Sequence, residues 1–175
     1  MGTRTAVFME QPNGTFKGVY VHYDGYLEGV GQNLLDNYQN REKVQRLIDI
    51  AKPIASLGTD LNLVYETFQR LQDGETRISQ DTTEQFFATS LEEIRHERYL
   101  TLGENREIIG YDKQDEKGET YFRELLGSDN NGFIYVYDKD GDWLVTQYKD
   151  TMPPKYAENK CYFKEFEPLK QALRK

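Results

Sequence analysis

The chain has 175 residues, 22 Lys and Arg against 30 Asp and Glu, and a net charge of −8. That length suits one domain with a real core. Its aromatic-rich, mixed-charge composition excludes a disordered chain, the lack of clustered basic residues disfavours direct nucleic-acid binding, and no apolar run approaches the ~18 residues of a membrane-spanning helix.

Thirteen Tyr and nine Phe mean that much of the burial must come from rings, many with polar tips. The single cysteine, Cys161, excludes an intrachain disulfide, and no Cys/His spacing suits zinc, so a reducing, cytoplasmic setting fits best. The opening Met1-Gly2-Thr3-Arg4-Thr5-Ala6 has no apolar signal core. Ala6 also stands where a myristoylation motif needs Ser or Thr.

Residues 4–11 and 15–23 read as two strands around Asn13-Gly14, a hairpin signal. A two-residue turn there sets Glu10 opposite Lys17, Phe8 opposite Val19 and Ala6 opposite Val21. Val7 then meets Tyr20 on the other face, beside Met9 and His22. Both faces are apolar or aromatic, which predicts cover on both sides. Next comes Tyr20-Val-His22-Tyr23-Asp24-Gly25-Tyr26-Leu-Glu28-Gly29-Val-Gly31. A strand that ends in polar aromatic residues and a glycine-rich turn can present a site on a rigid base.

Val30, Leu34, Leu35 and Tyr38 recur at helical spacing. Asn40 is a suitable N-cap for a second helix with Val44, Leu47, Ile48 and Ala51 on one stripe, stopped by Pro53. Gly58-Thr59-Asp60 predicts a restart, with Leu61, Val64, Tyr65, Phe68 and Leu71 on a helix ending near Gly74. Ser90-Leu-Glu-Glu93 is a capping box for a short helix over 91–99. Strands are expected between Tyr99 and Tyr111 around Gly103-Glu-Asn105, then a charged loop from Asp112 to Glu119. Phe133–Asp138 and Trp143–Tyr148 read as strands around Asp140-Gly141, a second type I′ hairpin. Pro153-Pro154 breaks the chain, and Pro168 opens a terminal helix carrying Leu169, Ala172 and Leu173.

The order predicts an α+β fold: an antiparallel sheet built from the N-terminal and C-terminal hairpins and packed with several helices. It reads as a single domain over 1–175 with a variable acidic insert at about 75–132. Charge is uneven. Residues 59–132 hold 17 acidic and 8 basic side chains, while the segments on either side are close to neutral.

Each chemical motif has a plainer competitor. Asp138-Lys-Asp140-Gly141-Asp142 departs from the EF-hand loop in the place of its glycine and lacks the closing Glu, so a solvated hairpin turn is preferred. Gly25, Gly29 and Gly31 before a helix do not match a dinucleotide or P-loop spacing, and Asp24 and Glu28 would repel an anion. His22 beside Asp24 could be acid–base machinery, since a carboxylate can fix an imidazole tautomer, against a histidine hydrogen-bonded at the end of a sheet. His96 with a neighbouring carboxylate is a weak metal site. Cys161 beside Lys160 has no histidine near it in sequence to activate it. No catalytic set, metal or cofactor is expected.

The opening Gly2-Thr3-Arg4, the strand ending Val21-His22-Tyr23-Asp24-Gly25-Tyr26, and Gly29 and Gly31 resemble a group of uncharacterised phage and prophage proteins whose motif often runs His-Trp-Asp-Gly-Tyr. Lys43-Val44 with Leu47, the Ser56-Leu57-Gly58 turn, the C-terminal hairpin and Pro168-Leu169 are similar too. The match spans roughly 2–58 and 133–173, and Tyr23 replaces the Trp. The resemblance implies a small accessory protein made in a bacterial host cell and brings no activity with it.

The expected function is binding, for example as an acidic inhibitor of a host defence complex, comparable to anti-CRISPR proteins. The partner would be a host or phage protein with a basic surface. Tyr20, His22, Tyr23, Asp24, Tyr26 and Glu28 are the candidate contact residues. Glu92, Glu93, Glu97, Glu104 and Glu107 form a candidate steering surface. The alternative is a nucleotide-like small ligand, bound or turned over in a pocket at the His22–Gly31 turn by stacking and hydrogen bonding. A homodimer is also compatible with the sequence.

Overall fold

Ala6, Val7, Phe8 and Met9 are each at most 1% exposed, so one strand buries both of its faces and the surrounding elements cover it from two sides. The computed structural model describes residues 4–65, 74–78, 83, 85–96, 101–102, 108–109, 112–114, 120–122, 131–147 and 163–175. The chain begins with β1 (Arg4–Glu10) and β2 (Phe16–Val21), then a single π-helical turn (Leu27–Gly31), α1 (Gln32–Asn37) and α2 (Arg41–Asp49). Short strands β3 (Ile54–Ser56), β4 (Asn62–Tyr65), β5 (Glu75–Ile78) and β6 (Phe86–Ala88) precede α3 (Leu91–His96). Then come β7 (Thr101–Leu102), β8 (Ile108–Ile109), β9 (Asp112–Gln114), β10 (Thr120–Phe122), β11 (Asn131–Tyr137), β12 (Trp143–Gln147), β13 (Glu167–Pro168) and α4 (Leu169–Leu173).

The fold is α+β, and its main sheet is mixed. Strands run in the order β13-β12-β11-β1-β2-β3-β5-β4, with β6 also on β2, β7 on β6 and β8 on β7, while β9 and β10 pair separately. Both hairpins form, but they join through a parallel contact between β1 and β11, with Val7 beside Tyr135. β2–β3 and β4–β5 are parallel as well. The expectation of a purely antiparallel sheet is therefore corrected. Parallel neighbours need a long crossover, and the chain between the two hairpins is long enough to return to the same end of the sheet.

Both turns also differ from the two-residue type I′ reading. In the first, Gln11 faces Thr15, and Gly14 N–H donates to the Gln11 carbonyl at 2.9 Å. Gly14 has φ 84°. This is a three-residue loop, a type I turn closed by a left-handed glycine. Pro12 is the reason. A two-residue turn would put it in the ladder, where it has no N–H to give, whereas position two of a type I turn suits its fixed φ. The pairing shifts by one residue, so Phe8 lies opposite Gly18, Val7 opposite Val19 and Met9 opposite Lys17. The second hairpin repeats the loop, with Gly141 at φ 82° and Gly141 N–H on the Asp138 carbonyl at 3.1 Å. Asp138 Oδ1 also accepts from the amides of Asp140 and Asp142, so this aspartate serves the turn.

The one-residue shift sorts the two cores. Val7, Met9, Val19 and Val21 face the helices, joining Val30, Leu34 and Tyr38, then Val44, Leu47 and Ile48, together with Tyr135, Trp143 and Leu169. Ala6, Phe8, Phe16 and Tyr20 face the other way, with Phe86, Ala88, Ile94, Ile134, Val136 and Phe163. Residues 75–96, the start of the acidic stretch, thus supply Ile78 to the first core and Phe86, Ala88 and Ile94 to the second.

Asn40 caps α2 as expected, its side chain accepting from the amides of Glu42 and Lys43. The helix ends at Asp49, ahead of Pro53, and Ala51 takes the left-handed position (φ 47°) that stops it. Ser90 Oγ accepts from Glu93 N–H at 3.0 Å, while the Glu93 carboxylate reaches the Thr89 amide at 2.7 Å. The expected extension of this helix to residue 99 lies outside the described residues.

The helix expected from Gly58 to Gly74 is not formed at its start, where Asn62–Tyr65 is strand β4 beside β5. The local bonds explain this. Gly58 N–H donates to Thr76 Oγ1 at 3.0 Å, and that hydroxyl donates to the Asp60 carbonyl at 2.7 Å. Asp60 N–H in turn donates to the Gly74 carbonyl at 3.1 Å. A Cβ on Gly58 would sit 2.2 Å from the Glu75 carbonyl oxygen, so only glycine lets this turn lie against β5. Leu61, Val64 and Tyr65 fit helical spacing, but tertiary pairing decides their state.

Gly18 is required by packing. A Cβ there would lie 2.8 Å from the Phe8 ring, which is fully buried and lies 6.1 Å, near parallel, from Phe86. Gly18→Ala is expected to lower stability by about 1–3 kcal/mol through overpacking. Phe8→Leu in the same chain should recover part of that loss, as read from denaturant midpoints. An additive double variant would show that the two residues do not compete for space.

Candidate functional site

β2 ends at Val21, and the next two amides stay bonded to the neighbouring chain. His22 N–H donates to the Ile54 carbonyl at 2.8 Å, and Tyr23 N–H to that of Ala55 at 2.9 Å. Alternation along β2 places Tyr20 and His22 on the second-core face, and their side chains meet, with the Tyr20 hydroxyl 2.6 Å from His22 Nδ1. The His22 ring stands edge-on to Tyr23 at 4.5 Å. Tyr20, rather than the Asp24 carboxylate of the acid–base reading, therefore meets the His22 Nδ1.

Asp24 turns the chain. It takes φ 61°, a left-handed conformation that aspartate tolerates better than most residues, and its side chain is exposed. Its carbonyl accepts the Val30 amide at 2.7 Å, which closes a seven-residue loop. Gly29 makes that closure possible, since a Cβ there would lie 2.3 Å from the Asp24 oxygen. The Tyr26 carbonyl accepts from the amides of Gly29 and Gly31, which winds the chain into the π turn leading to α1.

The loop is held from beneath by Tyr135, a residue that the sequence did not single out. Tyr135 is fully buried in β11, and its hydroxyl donates to the Gly25 carbonyl at 2.7 Å. Gly31 passes so close that a Cβ would lie 3.1 Å from that hydroxyl. The available signal was the run Phe133, Tyr135, Tyr137, whose alternate positions share one face. Burial first, then the negative charge of Glu28, pushes the Tyr135 hydroxyl far above the usual tyrosine range, against a smaller opposing effect of the Gly31 backbone. Tyr38, whose hydroxyl donates to the Gly58 carbonyl at 2.7 Å, is raised for the same main reason, with Asp60 adding to it and Thr76 opposing.

The predicted residues therefore fall into two groups. Tyr20, His22 and Tyr23 form one aromatic cluster at the end of β2. Asp24, Tyr26 and Glu28 are exposed on the closed loop, whose foot rests on Tyr135. Tyr23 (38% exposed) and Tyr26 (41%) are two of the four large hydrophobic side chains exposed among the described residues. Of the proposed steering carboxylates, Glu92 pairs with Arg95 at 2.8 Å and Glu93 caps α3. Glu97, Glu104, Glu107, Cys161 and the side chain of His96 lie outside the described residues. Among the described residues no group of three or more His, Cys, Asp or Glu converges as a metal site, and no helix is long and apolar enough to cross a membrane.

No protein-family model, curated protein or solved structure matches the chain.

The native state keeps the Tyr135 and Tyr38 protons above the ordinary tyrosine value near 10, whereas the unfolded chain releases them there. Stability is then full below about pH 10 and falls above it, by about 1.4 kcal/mol per pH unit for each ring. Tyr135→Phe keeps the shape, removes the donor to Gly25 and is expected to cost about 1–2 kcal/mol at neutral pH. It should also make the alkaline decline shallower. Thermal unfolding followed from neutral to alkaline pH measures both effects. An unchanged alkaline slope would show that Tyr135 does not hold its proton as the buried support of the loop.

Proposed function

We propose that the chain is a non-enzymatic phage or prophage accessory protein that acts in the host cytoplasm by binding another protein, as an acidic counter-defence protein would. One observation carries the reading: Tyr23 and Tyr26 stand exposed on a corner whose backbone is fixed from below. Exposed aromatic side chains on a preordered loop make good binding anchors. Their burial is favourable, and little further ordering is needed on association. The net charge of −9 over residues 59–132 favours a partner with a basic surface and speeds encounter with it. The provenance rests on the resemblance of roughly residues 2–58 and 133–173 to phage and prophage proteins.

The test uses the full chain as bait in infected or lysogenic bacteria, beside a Tyr23→Ala/Tyr26→Ala chain whose fold is confirmed. A specific protein should be recovered with the first and lost by roughly tenfold or more with the second, since each anchor contributes on the order of 2 kcal/mol. Recovery should weaken as salt rises. Equal recovery by both baits would remove the corner from the binding surface. Co-elution of a nucleotide-like molecule without any protein would replace this reading with that of a small-ligand site.

A further inference from the structure

We infer that Asn13 is a site of spontaneous modification. The Gly14 amide nitrogen closes on the Asn13 side-chain carbonyl carbon, and water reopens the ring to aspartate or isoaspartate. The inference is independent of the binding reading, since it concerns the tip of the first hairpin and needs no partner.

The geometry of the turn carries it. Asn13 and Gly14 are both exposed, and a Cβ on Gly14 would meet nothing within 4 Å. Solvent therefore reaches the attacking amide, and no side chain shields it. Asn13 Oδ1 accepts from the Thr15 amide at 3.1 Å and from the Thr15 hydroxyl at 2.6 Å. These bonds span Gly14 and draw the Asn13 side chain forward along the chain, toward the nitrogen that attacks. They also place two donors on the one oxygen that gains negative charge as the ring closes, which is how a tetrahedral intermediate is stabilised. The Gly14 N–H donates to the Gln11 carbonyl at 2.9 Å, and cyclisation gives up this bond. The turn is exposed, so water takes the place of that donor.

The step consumes only water. The bond from Gly14 N to Asn13 Cγ forms as the Cγ–Nδ2 bond breaks. The Gly14 amide proton passes to solvent, and Nδ2 leaves as ammonia. Water then adds to either carbonyl of the ring. One opening leaves aspartate at position 13. The other routes the backbone through the side-chain carbon as isoaspartate. The second hairpin shows that the first product fits. There Asp140 precedes Gly141 in the same three-residue loop, with Gly141 at φ 82° against 84° for Gly14. Conversion therefore puts a carboxylate at the tip and leaves the hairpin standing. The chain also carries its own reference, because Asn131-Gly132 is the same dipeptide in strand β11, where Asn131 pairs with Arg4. Ring closure there has to disturb the sheet.

The full chain is incubated at mildly alkaline pH, folded and, in parallel, in denaturant. Peptide mapping by mass spectrometry follows conversion at each dipeptide and separates aspartate from isoaspartate. In the folded chain Asn13 should convert severalfold faster than Asn131, and in denaturant the two rates should converge. Thr15→Val keeps the branched shape and removes the hydroxyl donor. It should slow Asn13 severalfold in the folded chain and leave the denatured rate unchanged. The effect is smaller than loss of a buried oxyanion donor, because water competes at this exposed turn. Thr15→Ser should restore the rate, with circular dichroism confirming that each variant folds. Asn13→Asp should unfold at the parent's denaturant midpoint. Conversion of Asn131 as fast as Asn13 in the folded chain, or equal Asn13 rates with threonine and valine at position 15, would overturn the site. A lowered midpoint for Asn13→Asp would overturn the claim that the hairpin survives the modification.

Discussion

The parallel pairing of β1 with β11 is the contact on which the rest of the molecule depends. It joins residues about 128 apart in sequence, Val7 to Tyr135, and makes β1 a central strand buried on both faces. Once β11 lies there, its tyrosines reach across the helix face. Tyr135 holds the Gly25 carbonyl, Tyr137 meets the Gln39 carbonyl at 3.3 Å, and neighbouring Trp143 donates to the Tyr38 carbonyl at 2.8 Å. Arg41 closes the same region from the other side, donating to the Lys139 carbonyl at 2.8 Å over the Tyr137 ring. Both the corner loop and the joint between α1 and α2 are therefore hung from strands that the chain makes last. A contact of such long range costs loop-closure entropy before it returns any stability, and it links order at the corner to completion of the sheet.

The corner shows why its residue types occur together. Gly29 permits an approach that no side chain allows, Asp24 supplies the left-handed turn, and Gly31 passes the Tyr135 hydroxyl. Those demands are architectural and would be met whatever the protein bound. Exposed Tyr23 and Tyr26 are not explained by them. Neither ring is needed to close the loop, since its bonds are made by backbone groups and the Tyr135 hydroxyl, and burying them elsewhere would have been favourable. His22 also takes part in the architecture: its amide continues the sheet to Ile54 and its ring meets the Tyr20 hydroxyl.

Local chemistry was legible in the sequence and long-range pairing was not. Asn40 caps α2, and the Ser90–Glu93 pattern opens α3, because caps depend on residues only a few positions apart. The two hairpins were legible for the same reason. Their turn type depends on the residues before Asn13-Gly14 and Asp140-Gly141 as well as on those pairs. Pro12 excludes the shorter loop, and Asp138 organises the second one through its side chain. The parallel join left no local mark. Nor did the fate of residues 61–65, where the same apolar spacing serves a helix or an edge strand and Thr76, far along the chain, decides between them. Tyr135 was hidden because a tyrosine in a strand reads as packing until the opposite carbonyl is known.

The two proposed determinants of binding then have different physical standing. On α3 the charge is partly spent locally, with Glu92 held by Arg95 and Glu93 held by the Thr89 amide, so those two carboxylates act at a distance only as part of the net field. Such a field is screened within about 8 Å at physiological salt and cannot choose among basic partners. It raises the encounter rate and little else. Discrimination must come from groups that are desolvated on contact and held in fixed geometry. Among the described residues, the loop from Tyr23 to Glu28 combines exposed rings, exposed carboxylates and a backbone locked from below.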